Sequence, residues 1–508
     1  MKFTLLFKIM LMLLLAFPMT GYGQSNIMKD NYGMSNPKSN CDVYVSGSTR
    51  NAQGILIPTL WKNGVAQYLP QATPHATGFS VFVSGDDIYV AGAEIVDAQQ
   101  INAILWINGV RHNLSETTRE AIAYSVYVSD NDIYVAGHQD LVPTLWKNGI
   151  AKKLSDKSDS FARSVYVSGT DVYAAGYEWN EQNNKTYAIV WKNGERQQVD
   201  EGGKYQVALS VYVSEEDTYA VGYDDDSAML WKNGVGYSLP HTGDAAAIAR
   251  SVYVSGNDVY VVGEDIRYGN GGYLYATAKL WVNGEAHKLT SGTYDAIARS
   301  VYIFDNDVYV AGHEATSTAY PWKNVAKLWK NGVAQNLTDG IHDAEALSVF
   351  VIGRYTVSVS ANPEEGGEVT GSGIYNEGAS VVVCATSYTG YNFVNWTKGN
   401  VIVSTDSQYT FTATEDIELV AHFEVENNIT SIIIDNVVLY PNPFTNEINV
   451  SNPEMIKSIQ ITNFTGQEVK HVIFNGKSIV TENLSSGIYF VIVESFIGNK
   501  AVYKMIRE

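Results

Sequence analysis

The sequence predicts an all-β fold whose first two thirds form a closed seven-bladed β-propeller. One line of sequence occurs seven times, and the Trp of its Leu-Trp-x-Asn-Gly segment returns after 45, 40, 45, 40, 50 and 48 residues. The seven positions are Trp61, Trp106, Trp146, Trp191, Trp231, Trp281 and Trp329. Repeats of this length, built from short alternating runs, are typical of propellers. The composition agrees, because 34 Tyr and 43 Gly favour strands and tight turns over helices.

Each repeat is predicted to supply four strands, here called A to D. The A strands follow a Ser-Val-Tyr-Val-Ser pattern and are predicted to begin at Ser80, Ser125, Ser164, Ser210, Ser251, Ser300 and Ser348. The B strands follow an Asp-Val-Tyr-Val-Ala-Gly pattern, and the C strands end at the Trp. This alternation places every second side chain on one face of a sheet. The Asn-Gly pair after each Trp predicts a tight C–D hairpin.

The two ends of the repeat region predict how it closes. The first repeat begins directly at a B strand, near Cys41, and the last is followed by an extra A strand at Ser348. If that last strand completes the first blade, neither sheet edge stays open. We therefore expect the propeller over residues 40–353. Its B strands, which end in Tyr-x-x-Gly with one Gly per blade, resemble the kelch type of propeller repeat.

Charge and cysteine content exclude several classes of protein. The formal net charge of −20 opposes the counterion displacement by Lys and Arg that nucleic-acid binding needs, and it disfavours an anionic membrane surface. Two cysteines, Cys41 and Cys384, are too few for a disulfide framework. Two inert thiols or a single bridge remain the alternatives.

The N-terminal residues 1–23 have the pattern of a secretory signal peptide. Lys2 and Lys8 give the positive start, residues 9–17 form a short apolar run, and residues 21–23 fit a small-x-small cleavage site. Residues 24–39 are then an N-terminal linker. No later stretch has about 18 consecutive apolar residues, so no transmembrane segment is predicted.

The B–C and D–A loops vary in length, whereas the A–B and C–D turns are short and uniform. Variable loops on a rigid scaffold are where binding usually resides, so these loops define the predicted ligand face. Arg163, Arg250 and Arg299 precede three A strands on this face and are candidates to hold a carboxylate, sulfate or phosphate. Pairing with neighbouring loop carboxylates is the alternative.

Aromatic residues in the long loops are the second group of ligand-binding candidates, because exposed aromatic side chains suit sugar rings or protein partners. These candidates are Trp179, Tyr268, Tyr273, Tyr275 and Trp322. The alternative is that the loops pack on themselves.

Metal binding and catalysis have little support in the sequence. Asp224, Asp225 and Asp226 concentrate oxygen ligands of the kind calcium prefers, but without EF-hand spacing, and a solvated turn is the alternative. No cofactor is predicted, and the nucleophile-elbow, zinc-protease and phosphate-loop motifs are absent. An enzyme would need paired acid and base groups, for which the candidates are Glu264, Asp265 and Glu178.

Residues 354–425 change character and contain Gly366-Gly367, a Gly-Tyr-x-Phe-x-x-Trp segment at 390–396 and a closing Val-Ala-His-Phe at 420–423. This segment resembles the small bacterial surface repeat related to the internalin B-repeat. The resemblance implies a spacer or stalk module on an exported protein. We expect a small β domain with Tyr391, Phe393, Trp396 and Phe411 in its core.

A linker at residues 426–436 precedes a C-terminal segment, residues 437–508, which is predicted to be a β-sandwich of short strands. Its distinctive residues are Leu439, Tyr440, Pro441, Asn442, Pro443, Gly466, Gly487, Tyr489 and Lys504. The segment resembles the type A C-terminal sorting domain of the type IX secretion system. The resemblance implies export, recognition by that machinery at the outer membrane, and release or attachment at the cell surface.

Three functional hypotheses follow. The first is a non-enzymatic surface or secreted protein whose propeller binds an extracellular glycan or protein. The second is a carbohydrate-active lyase or hydrolase with its site at the channel mouth. The third is a structural component of a surface layer, which would self-associate and bind no soluble ligand.

Overall fold

The computed structural model describes residues 41–97, 100–115, 119–199, 202–268, 274–318, 323–426 and 437–508. The predicted signal peptide and N-terminal linker, Tyr273, Trp322 and most of the 426–436 linker lie outside these ranges. The described chain is all-β, with two short 3-10 turns at Glu364–Gly366 and Pro453–Met455. A search of these residues finds no helix with the length and apolarity needed to cross a bilayer.

Each repeat has four strands paired in the order A-B-C-D; five repeats are separate four-stranded sheets, and the first two are joined by one bridge between Leu56 and His75. The A strands are His75–Ser84, Ala121–Ser129, Phe161–Ser168, Gln206–Ser214, Ala246–Ser255, Ala296–Phe304 and the first part of Ala344–Asn362. The B strands are Cys41–Arg50, Asp87–Ile95, Asp132–Gln139, Asp171–Asn180, Asp217–Asp224, Asp258–Tyr268 and Asp307–Ala315. The C strands are Leu56–Lys62, Ile101–Ile107, Val142–Lys147, Lys185–Lys192, Ser227–Lys232, Leu274–Val282 and Asn324–Lys330. The D strands are Val65–Tyr68, Val110–Asn113, Ile150–Lys153, Glu195–Gln198, Val235–Ser238, Glu285–Lys288 and Val333–Asn336.

The sheet that begins the chain takes its A strand from the end of the repeat region. Cys41–Arg50 pairs antiparallel with the strand that starts at Ala344, and Tyr44 lies opposite Phe350. The C and D strands of the first repeat complete this sheet. The strand around residue 350 therefore lies beside the strand around residue 44, about 300 residues away in sequence.

Two sets of repeated side chains join neighbouring sheets. The first Ser of each A strand accepts a hydrogen bond at 3.1–3.3 Å from a Val N–H of the next A strand. This Val directly follows the corresponding Ser of that strand, and Val81 bonds in this way to Ser348. The aromatic residue two positions after each Ser contacts the next one, with ring centroids 4.6–5.0 Å apart. These contacts run in an unbroken circle through Phe82, Tyr127, Tyr166, Tyr212, Tyr253, Tyr302 and Phe350.

Every A strand contains a β-bulge, which the sequence pattern did not predict. The strands begin three to five residues before the predicted Ser, and pairing skips the residue just before it, such as Arg250 between Ala249 and Ser251. The opposite residue on the B strand is the repeated Gly. A Cβ on Gly263 would overlap the carbonyl oxygen of Ile248, and the other six glycines have the same surroundings. The single Gly per repeat is thus required by the bulge facing it.

At the opposite end of each sheet, the same hydrogen-bond network recurs in all seven repeats. The Asn of every Asn-Gly turn accepts the N–H of the second B-strand residue at 2.8–2.9 Å. Its amide donates to the B-strand Asp at 2.6–2.8 Å. In five repeats a Lys also pairs with that Asp at 2.6–2.8 Å and lies over the B-strand Tyr. In this network the Asn accepts the backbone N–H, whereas the Asp accepts the Asn amide and, in five repeats, the Lys ammonium group.

The seven repeated Trp side chains form the cores between the sheets, with at most 1% of each exposed. Trp281, for example, packs with Val252, Val254 and Leu239 of neighbouring strands. Burial of so large an apolar surface explains why the Trp recurs in every copy. These residues are structural in the described fold and take no part in the candidate site.

The strand that completes the first sheet continues as Ala344–Asn362 into the small β domain. Its other strands are Gly367–Thr370, Gly373–Asn376, Ser380–Ser387, Tyr391–Lys398, Val401–Ser404, Gln408–Thr412 and Ile417–Val425. The domain contacts the short-turn end of the repeats, where Asn376 donates to Asp86 at 3.1 Å and Arg354 pairs with Asp42 at 3.3 Å. The B–C and D–A loops are at the opposite end of the strands.

The core of this small domain differs from the expected one. Trp396 is fully buried, with Val381, Val383 and Leu419 also at 1% exposure or less. Tyr391, Phe393 and Phe411 are only half-buried, because their strands leave one side partly open to solvent. Cys384 and Cys41 are both free thiols.

The C-terminal segment contains two sheets around one core. The first sheet has Leu439–Tyr440, Glu447–Val450 and Ser478–Val480, and the second has Glu468–Ile473, Ile456–Asn463, Gly487–Ser495 and Lys500–Arg507. Both sheets contribute to the buried cluster, with Ile448 and Val450 on one side and Ile459 and Val491 on the other. This is the arrangement of a β-sandwich.

Candidate functional site

The bulges of the A strands carry the predicted arginines. The seven bulge residues, here called the bulge layer, are Phe79, Tyr124, Arg163, Leu209, Arg250, Arg299 and Leu347. A bulge re-aims its side chain away from the regular alternation of the strand. Each of these side chains therefore lies on the first strand of the A-B-C-D order, at the end where the variable loops are.

Arg250 is held by a carboxylate of its own sheet. Its Nε donates to Oε2 of Glu264 at 2.6 Å and its Nη2 donates to the other carboxylate oxygen. Glu264 is only 1% exposed and follows the Gly that faces the bulge. This bidentate pair is a strong, directional interaction, so Arg250 is engaged within the protein.

Arg299 is held much more loosely. Its Nη2 lies 3.8 Å from Oε2 of Glu345, beyond hydrogen-bond distance, and its buried Nε has no hydrogen-bond partner among the described residues. Burial, and then the charge of Arg250, lower the pKa of Arg299. Burial acts to raise the pKa of Glu345, but His313 and Arg299 outweigh it and the pKa is lowered. Arg299 therefore lies in a charged cluster that leaves some of its donors unused.

Arg163 lies among aromatic rings. Its guanidinium is 4.1 Å from the ring centroid of Tyr124 and 5.3 Å from that of Phe161, a cation–π arrangement. No ion pair of Arg163 is found within the described chain, and its Nε lacks a hydrogen-bond partner there. Burial raises the pKa of Tyr223. The charges of Arg163 and Arg250 both act against this rise, so Tyr223 is close to both arginines.

Two further titratable groups lie beside Arg299, and the sequence analysis did not find them. Burial raises the pKa of Asp295 to about 6, with Glu264 and Glu345 adding to the effect and Arg299 opposing it. Burial and the charge of Arg299 lower the pKa of His313 to about 4. The only signal in the sequence was position: Asp295 directly precedes an A strand, and His313 directly follows the repeated Gly.

The acid candidates of the enzyme hypothesis are all in ion pairs. Glu264 binds Arg250, and Glu178 accepts from Nε of Arg196 at 2.7 Å. Asp265 pairs with Lys279 at 2.8 Å, and both side chains are almost fully buried. Burial acts to raise the pKa of Asp265, but Lys279 and other donors outweigh it and the pKa is lowered. The pairing with Lys279 therefore favours the ionised form of Asp265.

Trp179 lies on an open groove at the outer part of the loop end. The groove has a volume of ≈ 600 Å³. Its lining consists of Ser155, Lys157, Glu178, Trp179, Asn180, Lys185, Tyr187, Arg196, Gln198 and Gly202. These residues come from the end of one B strand, the start of the following C strand, the D strand beside it and two D–A loops. Trp179 was predicted from the sequence as a ligand contact, but its proximity to Lys157 was not, since Lys157 comes from the preceding D–A loop.

Of the other aromatic candidates, neither Tyr268 nor Tyr275 lines this groove. Tyr268 ends a long B strand two repeats further on, is 61% exposed, and its backbone N–H donates to Asp244 at 2.8 Å. Tyr275 is half-buried on the following C strand. Tyr273 and Trp322 fall outside the described residues.

In the acidic run, Asp224 and Asp225 bind the backbone of the D–A loop at residues 203–204. Both oxygens of Asp224 accept the N–H of Gly203, and those of Asp225 accept the N–H of Lys204. Asp226 contributes its backbone carbonyl to Ala247. Within the part of the chain that the structure describes, no group of three His, Cys, Asp or Glu side chains is arranged to hold a metal ion.

The distinctive residues of the C-terminal segment have structural roles in the sandwich. Asn442, within the Pro-Asn-Pro segment, donates to the carbonyl of Lys504 at 3.0 Å and accepts the N–H of Ile506 at 2.8 Å. The hydroxyl of Tyr489 donates to the carbonyl of Ser485 at 2.7 Å. Leu439 is buried, whereas Tyr440 and Lys504 are exposed. Gly466 has φ +84°, a conformation that favours glycine in its turn.

Family comparisons identify both downstream domains. Residues 357–427 match the family described as divergent InlB B-repeat domain, and residues 438–508 match the family described as secretion system C-terminal sorting domain. Both predicted resemblances are confirmed. The chain thus carries a type IX secretion sorting domain, which directs it to secretion or to attachment at the cell surface. No curated protein matches the chain.

Several solved structures are similar in part. PorZ of Porphyromonas gingivalis, described as an essential surface component of the type IX secretion system, has 11% identity and a TM-score of 0.26, with 90% of this chain and 81% of PorZ covered. TolB of Acinetobacter baumannii has 12% identity and a TM-score of 0.32, covering 48% and 62%. A puromycin-hydrolysing peptidase of Mycobacterium tuberculosis has 10% identity and a TM-score of 0.35, covering 82% and 57%. None of these three scores reaches 0.5, so the likenesses carry no functional argument.

Proposed function

We propose that this type IX secretion cargo is a non-enzymatic binding protein whose repeats form a closed seven-bladed propeller that captures an extracellular glycan or protein. The pairing of Tyr44 with Phe350 supports closure, because it gives the first sheet its inner strand. The unbroken circle of seven aromatic rings supports it as well, since an open array would leave two ends without a neighbour. The kelch type of the repeat remains a prediction.

One observation carries the proposal of binding. Arg163 and Arg299, at the loop end of the sheets, each have a buried Nε without a hydrogen-bond partner in the described chain. Buried donors in proteins are nearly always satisfied, so an unpaired Nε in each of two guanidinium groups is a reason to expect a ligand or ordered water there. Strands hold both side chains, so little ordering entropy is lost on binding.

The test is capture on glycan and protein arrays by the intact chain and by an Arg163→Gln, Arg299→Gln double variant. We expect the double variant to lose at least about tenfold in affinity, since charged hydrogen bonds are worth about 1.5–3 kcal/mol each. Arg119→Gln, an exposed arginine outside the bulge layer, is the matched control. Equal capture by all three proteins would exclude the bulge layer as the binding site.

One observation favours an enzyme as the second candidate. Asp295 has a pKa raised to about 6 and lies close to Glu264 and Glu345, and a carboxyl group of this kind suits a general acid. A lyase or hydrolase would release new reducing ends or unsaturated products from a polysaccharide, and Asp295→Asn would abolish the release. Capture without any released product supports the binding protein instead.

A further inference from the structure

Arg163 and the neighbouring Tyr124 both have buried polar atoms that no described residue satisfies. The Nε of Arg163 and the hydroxyl of Tyr124 are without a hydrogen-bond partner in the part of the chain that the structure describes. The two side chains are in contact, because the guanidinium lies 4.1 Å from the ring centroid of Tyr124. A guanidinium can only donate and a phenol hydroxyl can also donate, so one group with two acceptor atoms would satisfy both.

The charged side chains of the neighbouring sheets are bound to other partners. Among the described residues, Arg163 has no ion pair within 4 Å. Glu120 lies 3.4 Å from Nε2 of His138, and Glu178 is held by Arg196 at 2.7 Å. Burial lowers the pKa of His138, so this imidazole is neutral near pH 7 and adds no charge. The charge of Arg163 is therefore left without a described counter-ion, which is unusual for a partly buried arginine.

The other side chains around Arg163 are apolar or aromatic. The guanidinium is also 5.3 Å from the ring centroid of Phe161. Phe161 belongs to a buried cluster with Tyr177 and Val207, against which the half-buried Tyr124, Leu141, Leu209 and Tyr223 pack. The hydroxyl groups of a sugar would find few partners among these side chains, whereas an apolar group loses nothing by lying against them.

The site is held by the strands but keeps some freedom at the guanidinium. Tyr124, Arg163 and Leu209 are the bulge residues of three consecutive A strands, and all three are half-buried. Strand pairing fixes their backbones before any ligand arrives, which lowers the ordering entropy that binding costs. No ion pair fixes the guanidinium of Arg163, so a small rotation brings its donors to a ligand on the open side.

We infer that Arg163 and Tyr124 bind the carboxylate of an apolar ligand, whose apolar group lies against Leu209 and Leu141. The two oxygens of a carboxylate match the two unsatisfied donors, and a charged hydrogen bond to a guanidinium is a strong one. The free C-terminus of a protein with an apolar last residue has this chemistry, and so has a small aliphatic acid. The inference rests on the proposed binding function and assigns its ligand a chemical class.

The test measures binding of the intact chain by calorimetry to a short peptide that ends in leucine with a free carboxylate. The same peptide with a C-terminal amide is the matched probe, and we expect it to bind at least about tenfold more weakly. Isocaproate, which has the leucine side chain on a free acid, separates the two sources. Isocaproate binding as tight as that of the peptide would support the inference with a small acid as the ligand, and weaker binding would support it with a chain end.

Two variants test the two donors separately. Tyr124→Phe removes only the hydroxyl and keeps the ring under the guanidinium, so it should weaken binding of the free-acid peptide about threefold or more without loss of folding. Its control is Tyr68→Phe, an exposed tyrosine of the first D strand. Arg163→Gln should weaken binding about tenfold or more, and its control is the exposed Arg119→Gln.

Equal binding of the acid and the amide, or unchanged binding in both Tyr124→Phe and Arg163→Gln, would overturn the inference. Galacturonate bound as tightly as the free-acid peptide would also overturn it, in favour of an acidic sugar. No binding of the free-acid peptide would mean that ordered water, or a carboxylate outside the described residues, satisfies Arg163. In each of these cases array capture that depends on Arg299 would leave the proposed binding function standing, whereas absence of any capture on the arrays would reject both.

Discussion

At the scale of single residues, the β-bulge of each A strand explains why the Gly facing it is constant and why the bulge residue itself varies. The bulge before Ser251 takes Arg250 out of the strand pairing and brings the backbone of Ile248 over Gly263. The glycine is needed because any side chain would overlap that backbone, whereas the bulge position itself accepts Phe, Tyr, Leu or Arg. The glycine is therefore constant among repeats, while the residue at the bulge varies.

Replacing this glycine should destabilise the repeats. Gly263→Ala forces the Cβ against the carbonyl oxygen of Ile248, and relief requires a backbone shift that we expect to cost about 2–4 kcal/mol of unfolding free energy. Gly476→Ala is the control, because the nearest atom to its Cβ would be 3.8 Å away. Thermal unfolding of the full chain checks this. Equal melting temperatures for the two variants would show that the bulge does not constrain the B strand.

The raised pKa of Asp295 predicts how the stability of the folded protein depends on pH. Its pKa is raised to about 6 from an ordinary 3.8, so the folded state binds its proton more tightly than the unfolded state. The stabilisation is complete below about pH 4 and is lost as pH rises through 6, by about 2–3 kcal/mol in all. His313, whose pKa is lowered, changes in the opposite direction and partly hides the effect in the unaltered protein.

The substitution Asp295→Asn separates the contribution of Asp295 to the pH dependence of stability from that of His313. The amide can still accept the N–H of Ala276, which donates to Asp295 at 2.7 Å, but it does not ionise. We expect the variant to melt at a higher temperature than the unaltered protein at pH 7.5 and at the same temperature at pH 4. Melting curves across this range measure the difference. A difference that is constant with pH would show that Asp295 has an ordinary pKa.

At the scale of strands and sheets, neighbouring repeats are joined by hydrogen bonds from backbone to side chain. Ser251 accepts the N–H of Val301 from the next A strand at 3.2 Å, and the same bond recurs between all seven A strands. Each bond crosses from one sheet to its neighbour, so the Ser contributes to the contact between sheets and not to its own hairpin.

Loss of one such hydroxyl should be measurable. Ser251→Ala leaves the N–H of Val301 without its partner, and we expect a loss of about 1–2 kcal/mol in unfolding free energy. Ser255→Ala, at the other end of the same strand, is the matched control and should change stability by less than about 0.5 kcal/mol. Chemical denaturation measures both. Equal stability of the two variants would contradict a role of the Ser between sheets.

The strands and hairpins could be predicted from the sequence because their signals are local. The Asn-Gly pairs and the alternation in the B strands follow from neighbouring residues, and the structure has these elements with ends within a few residues. The bulges could not be predicted, since they depend on pairing with another strand. For the same reason one role was predicted for three arginines, although their partners in the structure differ: Arg250 is in an ion pair, Arg163 lies among aromatic rings and Arg299 has unused donors.

At the scale of the whole molecule, the sequence predicted the export route best. A sorting domain is a family pattern spread over many residues of a short segment, and it was recognisable without a structure. The ligand was the least predictable part, because the groove at Trp179 is assembled from a hairpin, a D strand and two D–A loops. The small domain contacts the short-turn end of the repeats, so it does not cover the loop end where both candidate sites lie.

Passage across the outer membrane should depend on the C-terminal segment. A chain that lacks residues 437–508 should accumulate between the two membranes and be absent from the medium and the cell surface, because the sorting domain is missing. The full chain with Gly476→Ala, which keeps that domain, serves as the control. Fractionation and immunoblotting measure the distribution. Surface delivery of the shortened chain would show that the signal lies elsewhere.

The central claim is that the strand at the end of the repeats closes the first sheet, and a native thiol allows a direct measurement. Cys41 pairs with Gly353 across the two strands, so the substitution Gly353→Cys puts two thiols within disulfide distance. Under oxidising conditions we predict a bond between Cys41 and the introduced cysteine, identified by mass spectrometry of unreduced peptides and absent when Cys41 is changed to Ser. Free thiols at both positions, or a bond from the introduced cysteine to Cys384, would contradict closure.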